Sequence, residues 1–131
     1  MASIVVIDDE AIWHRLLKKL LGDLGYTVHT AATRDEGLRL LKALKPDCLL
    51  LDYHLGETNA CEVCRALRMG EFFGKTPIIV FSSDPGVEML AYDKCGAARF
   101  VLKGPTIIAD LPGVIKDVLS RREPGKVKGQ S

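Results

Sequence analysis

Short apolar runs alternate along this chain with stretches of helical period. Residues 3–8, "SIVVID", are apolar at nearly every position and predict a strand. From Ile12 to Leu24 the residues Ile12, Trp13, Leu16, Leu17, Leu20, Leu21 and Leu24 recur every three or four positions, so they share one helix face. Gly25 ends that helix. Residues 26–31, "YTVHTA", predict a weaker second strand. Thr33 with Glu36 then offers a capping box ahead of Leu38, Leu40, Leu41 and Leu44.

Pro46 stops the second helix, and "CLLLD" (48–52) follows as a third strand. After the loop "YHLGET", Asn59 with Glu62 caps a third helix running through Leu67. Residues 76–82, "TPIIVFS", predict a fourth strand. Asp84 and Pro85 suit an N-cap and a first helical residue, and Gly96 suits a C-terminal stop. "ARFVL" (98–102) predicts a fifth strand. A last helix carries Val114, Ile115, Val118 and Leu119, and is expected to begin near Asp110 because a proline such as Pro112 fits only a first turn. Residues 122–131 have little apolar content and predict a flexible tail or the stub of a linker.

Five strands, each followed by a helix, imply parallel pairing with helices on both faces. The expected architecture is a flavodoxin-like, doubly wound (βα)5 sheet of strand order 2-1-3-4-5, filling residues 1–121. The chain's 131 residues suffice for one such domain with a real core. A net charge of +1 argues against a broad nucleic-acid footprint. The longest apolar runs fall far short of a membrane span, and nothing at the N-terminus resembles a signal peptide. The four cysteines show no disulfide framework, so a reducing cytoplasm is the expected setting.

Ligands of open parallel sheets bind beyond the carboxyl ends of the strands. There the first strand ends in Asp8, Asp9 and Glu10, and the third in Asp52. The fourth ends in Ser82, Ser83 and Asp84, and the fifth in Lys103. A carboxylate closing a buried strand needs a partner or takes up a proton. Clustered acids invite a hard cation. Mg²⁺ suits them, because it accepts one or two carboxylates and keeps waters for a phosphate to replace. A lysine can hold an acid or a phosphoryl oxygen, and a serine hydroxyl can donate to the same oxygen. A carboxylate can itself be the nucleophile in phosphoryl transfer.

With "VVIDDE", "LLLDYHL", "PIIVFSS" and "ARFVLKG" in this order, the chain resembles the receiver domains of two-component response regulators, the CheY-like superfamily. The resemblance runs from residue 3 to about 121. Asp9, Asp52, Ser82 and Lys103 follow one another at spacings of 43, 30 and 21 residues. The resemblance implies that Asp52 accepts a phosphoryl group from a histidine kinase or a histidine phosphotransfer protein. It implies that Asp9 and Asp52 ligate Mg²⁺ directly, Asp8 through water, and His54 through its backbone carbonyl. Ser82 then matches the hydroxyl that follows the phosphoryl group and Lys103 the lysine that binds its oxygen. Phe100 matches the aromatic whose rotamer is coupled to that shift. The output would be a changed face of helix four, strand five and helix five that docks a protein partner, with no direct nucleic-acid or membrane contact. Such a domain is a switch and not an enzyme in the ordinary sense. It catalyses only its own phosphorylation and slow dephosphorylation.

Three positions depart from the family pattern. Gly56 stands where proline is usual, Ala60 where glycine is usual, and Gly104 comes between Lys103 and Pro105. His54, two residues after the acceptor, sits where side chains tune dephosphorylation in the family. Plainer readings stand beside these. Asp8 and Asp9 suit any helix N-terminus, Asp52 suits a structural pair with Lys103, and Ser82 and Ser83 suit capping. Phe100 and Trp13 suit core positions, Trp13 also a kinase-docking face, and His14 and His29 surface positions. "CEVC" (61–64) lies too far past its strand for a redox motif and lacks two ligands for zinc, so packing thiols are expected. Two rival functions are a phosphorylation-independent adaptor and a Mg²⁺-dependent phosphatase. The acids with Ser82 and Lys103 argue against the first. His54 argues against the second, which would carry an aspartate there.

Overall fold

Side chains on a strand point alternately to opposite faces, so strands apolar at consecutive positions need a helical layer on each side. The computed structural model, which describes residues 2–69 and 76–122, has that build. Its elements are β1 (Ser3–Ile7), α1 (Ala11–Asp23), β2 (Thr27–Ala31), α2 (Arg34–Leu44), β3 (Cys48–Asp52), β4 (His54–Leu55), β5 (Thr58–Asn59), α3 (Ala60–Arg68), β6 (Ile78–Ser82), α4 (Glu88–Asp93), β7 (Arg99–Leu102) and α5 (Ile107–Arg122). The main sheet is parallel throughout, in the order β2-β1-β3-β6-β7. This is the expected 2-1-3-4-5 order, because β4 and β5 form a separate antiparallel hairpin. That hairpin occupies the segment read from sequence as a loop. Of the expected tail at 122–131, only the backbone of Arg122, which closes α5, lies within the described residues.

The alternation sorts the core in two. Val5, Ile7, Leu49, Leu51 and Val80 face Leu41 of α2, Val63 and Leu67 of α3 and Ala91 of α4. Ile4, Val6, Leu50, Ile79 and Phe81 face Leu17 and Leu21 of α1 and Leu111, Ile115 and Val118 of α5. The caps form where the residue types placed them. Thr33 Oγ1 accepts from the Glu36 N–H at 3.1 Å, and Glu36 reaches back to the Ala32 N–H at 2.8 Å. Asn59 accepts from the Glu62 N–H at 3.2 Å. Asp84 accepts from the Gly86 N–H at 2.9 Å, capping a 3₁₀ turn at Pro85–Val87 that leads into α4.

The last helix corrects the sequence reading. It begins at Ile107, three residues before Asp110, and Pro112 lies inside it. An interior proline costs about 3 kcal/mol. Ile107, Leu111, Ile115 and Val118 recur along one face and are all buried. Each such side chain contributes ~1.5–3 kcal/mol on burial, so the stripe outweighs the lost hydrogen bond.

Candidate functional site

The register of the sheet brings the ends of β1, β3, β6 and β7 to one rim. Ile7 pairs with Leu51, Asp52 with Phe81, and Ser82 with Leu102. Asp8 stays in register just past β1, its N–H donating to the Ala31 carbonyl at 3.0 Å. Asp8, Asp52 and Lys103 continue the alternation of Val6, Leu50 and Val101, whose side chains lie on the α1/α5 side. The three meet there. Lys103 Nζ is 2.8 Å from Asp8 Oδ2 and 3.2 Å from Asp52 Oδ1, with Glu10 farther off at 3.8 Å. Asp8, Asp52 and Ser82 are the buried polar residues among those described.

A nearly buried ammonium among acids needs lining as well as charge partners. Lys103 Nζ stands 4.9 Å from the Trp13 ring centre and 4.6 Å from that of Phe81. The two rings meet edge to face at 6.0 Å. Cation–π attraction and two carboxylates therefore hold the lysine together. Asp52 sits between opposed effects. Burial and the charges of Asp8 and Asp9 lift its carboxyl, Lys103 lowers it, and the balance leaves it raised to about 7. Another positive charge at the rim would reverse that balance.

The hairpin after β3 supplies the site's outer wall. Gly56 adopts φ 61°, as the first central residue of a type II′ hairpin turn must, so a glycine fits where the family favours proline. Its N–H donates to Asp9 Oδ2 at 3.1 Å and ties the turn to the acid rim. The Ala60 N–H donates to the Tyr53 carbonyl at 2.7 Å, and Ala60 is fully buried as the first residue of α3. The Lys103–Gly104 peptide is trans. His54 Nε2 lies 3.4 Å from Asp84 Oδ2, bridging the turns after β3 and β6. Ser82 Oγ accepts from the Asp84 N–H at 3.1 Å.

Asp9, Glu10, Asp52, His54, Gly56, Ser82, Ser83 and Lys103 line one cavity of about 340 Å³, with Asp8 beneath it. Phe100 stays outside it. It packs on the α3/α4 side, and its N–H donates to the Tyr92 hydroxyl at 3.1 Å. The acid group fits a hard cation. Carboxylate oxygens of Asp8, Asp9 and Glu10 lie within 4.8 Å of one another, and oxygen-rich donor sets suit Mg²⁺. Sequence reasoning missed three features: the Trp13–Phe81 cradle, the His54–Asp84 bridge, and His14, whose Nε2 lies 2.6 Å from the Asp8 carbonyl oxygen. The signal for the cradle was present in an aromatic in the first turn after the acids and another just before Ser82.

Known proteins match this geometry. A family model for the response regulator receiver domain matches residues 4–111. The transcriptional regulatory protein AfsQ1 of Streptomyces coelicolor is 32% identical over 124 residues, covering 94% of this chain and 53% of that protein. The alkaline phosphatase synthesis transcriptional regulatory protein PhoP of Bacillus subtilis is 31% identical over 122 residues, covering 92% of this chain and 50% of that protein. The chain thus spans about half the length of these relatives. It spans less of Protein RcaC of Microchaete diplosiphon, where a 31% identical match over 92 residues covers 69% of this chain and 14% of that protein. Response regulator TrrA of Thermotoga maritima, solved in complex with Mg²⁺-BeF, superposes with a TM-score of 0.79 at 25% identity, covering 90% of this chain and 99% of that one. Chemotaxis response regulator CheY4 of Vibrio cholerae does so at 0.81 and 25%, covering 90% and 98%. The chain belongs to the response regulator receiver domain family.

Proposed function

We propose that this receiver domain takes a phosphoryl group on Asp52 from a phosphohistidine of a histidine kinase or histidine phosphotransfer protein. The observation that carries the reading is the meeting of Asp8, Asp9, Asp52, Ser82 and Lys103 around one cavity at the strand ends. A carboxylate oxygen of Asp52 attacks phosphorus, the N–P bond breaks, and the imidazole of the donor keeps the electron pair. Asp9, Asp52 and the His54 carbonyl would hold Mg²⁺, with Asp8 holding it through water. When bound, the ion supplies neutralisation of the phosphoryl oxygens.

The chain's own residues do the rest. Lys103 already touches Asp52 and needs only a small turn to follow a transferred oxygen. Ser82 Oγ moves from the Asp84 N–H to that oxygen, which loosens the turn before α4. Phe100 lies on β7 beside α4, where such a change would reach it. Met89, Leu90, Tyr92, Leu102 and Ile108 are exposed across α4, β7 and the start of α5, a face suited to a protein partner. Water attack on the aspartyl phosphate returns the carboxylate and inorganic phosphate, and His54 tunes that rate. The reading places the protein in the cytoplasm. Among the described residues no helix is long and apolar enough to cross a membrane. Residues 1–121 act as the receiver and 122–131 as tail or linker.

The test is incubation with acetyl phosphate or phosphoramidate and Mg²⁺, followed by intact mass measurement. Wild type gains one phosphoryl mass and Asp52→Asn gains none. An unmodified wild type, or equal gain in the variant, overturns the acceptor assignment and favours a phosphorylation-independent adaptor.

A further inference from the structure

Three of the four cysteines gather on the sheet face away from the acid rim. Cys61 lies in the first turn of α3, Cys64 one turn on, and Cys95 in the turn that follows α4. The sequence pairs Cys61 with Cys64, but the fold brings in a thiol from 34 residues away. Cys61 Sγ stands 2.6 Å from Cys95 Sγ, with both residues present as free thiols. That separation is longer than the ~2.05 Å of a disulfide bond but closer than unbonded sulfurs normally sit, so the fold holds the two sulfurs within bonding reach. The surroundings keep the pair together. Arg68 Nη2 of α3 donates to the Cys95 carbonyl at 2.6 Å, and the Tyr53 hydroxyl lies 3.8 Å from Cys61 Sγ. The Arg68 guanidinium also packs against Gly96, where any side chain would meet it.

We propose that Cys61 and Cys95 form a reversible disulfide that ties α3 to the end of α4. The oxidant is a hydroperoxide. The Cys61 thiolate attacks the peroxide, giving a sulfenic acid and releasing hydroxide, or from an organic hydroperoxide an alkoxide that takes a proton from water. The Cys95 sulfur then attacks the sulfenic sulfur, the S–O bond breaks, and water leaves with the thiol proton. Two thiols lose two electrons in all, and the peroxide takes them. Cys61 is half-buried and offers the oxidant a way in, whereas Cys64 and Cys95 are buried. Burial raises the Cys61 thiol, so oxidation accelerates as pH rises. Cys64 is the third member. Its thiol hydrogen-bonds Cys95 in the reduced chain, so it lies within reach to reopen the bond by exchange.

A metal reading of the same thiols has less support. Among the described residues, Asp8, Asp9 and Glu10 are the group of three possible ligands within 4.8 Å of one another, and the thiols do not make a second. The bond would matter to the switch through its position. It lies under Tyr53, the neighbour of Asp52, and anchors α4, one edge of the exposed apolar face.

The test uses the full chain exposed to hydrogen peroxide, then denatured and blocked with iodoacetamide for intact mass. The reduced chain takes four alkyl groups, one for each cysteine. The oxidised chain takes two fewer, and dithiothreitol restores them. Cys64→Ser still loses two on oxidation, whereas Cys61→Ser and Cys95→Ser lose none. Full alkylation of oxidised wild type, or added oxygen mass without loss of alkyl groups, overturns the proposal. Equally fast loss in Cys61→Ser does so too, by moving the bond to Cys64 and Cys95. The wild-type count decides the question even if a variant folds poorly.

Discussion

α1 and α5 run 13 and 16 residues and set Leu17, Leu21, Ile107, Leu111, Ile115 and Val118 deep against the sheet. On the opposite face α3 and α4 run 9 and 6 residues. α4 buries only Ala91, leaving Met89 68% and Leu90 41% exposed. The firm layer carries Trp13 and backs Asp8 and Lys103, so it holds the charged groups in place. α4 follows the turn after Ser82 and carries most of the exposed apolar face, which Leu102 of β7 and Ile108 of α5 complete. Motion is inexpensive where few apolar contacts must break, so rearrangement belongs to the α4 side.

The largest effect should come from the rim that the firm layer supports. Lys103→Ala leaves Asp8 and Asp52 buried without their shared cation, and should cost about 3–5 kcal/mol in urea unfolding at neutral pH. Added Mg²⁺ should return part of it. A loss under about 1 kcal/mol would show that the acids find other partners.

Next comes the pH dependence of Asp52. Its folded-state value, raised to about 7, lies above the 3.8 of an unperturbed carboxyl. The folded chain therefore binds the proton more tightly than the unfolded chain. That contribution is full below about 4 and is lost as pH rises through about 7. Metal-free Asp52→Asn should accordingly exceed wild type in stability at pH ~8, by on the order of a few kcal/mol, with the gap closing toward pH ~4. A gap that ignores pH would break the assignment.

The two layers can be compared directly. Ile115→Ala should cost about 2–5 kcal/mol, whereas Leu90→Ala should stay within about 0.5 kcal/mol. Equal losses would erase the contrast. Gly56→Ala, at a positive φ with open space around it, should cost about 1–2 kcal/mol from backbone strain alone. The variant should also weaken Mg²⁺ binding slightly, measured by calorimetry, because the Gly56 N–H would shift against Asp9.

Much of this was legible in the order of residues. Runs such as "CLLLD" name buried strands because both faces must be apolar. Thr33, Asn59 and Asp84 cap where their side chains reach free N–H groups within two or three residues. The strand ends at Asp8, Asp52, Ser82 and Lys103 converge once parallel order is inferred, since parallel strands all end on one rim. These signals are local or periodic, and local physics suffices for them.

Other features needed the folded chain. The start of α5 went against the proline rule because burial of Ile107 and Leu111 outweighs one lost hydrogen bond, and burial depends on what lies opposite. The hairpin at His54–Asn59 depends on the Gly56 N–H finding Asp9, 47 residues away. Trp13 and Phe81 frame Lys103 only because the packing of α1 brings Trp13 against Phe81 of β6. "CEVC" supplies packing thiols, as read from sequence, but only the fold brings Cys95 beside Cys61. Sequence by itself determined which chemistry reaches the rim and in what strand order. Tertiary structure alone decided which side chains touch across distant segments, because those contacts follow from packing geometry and no local pattern encodes them.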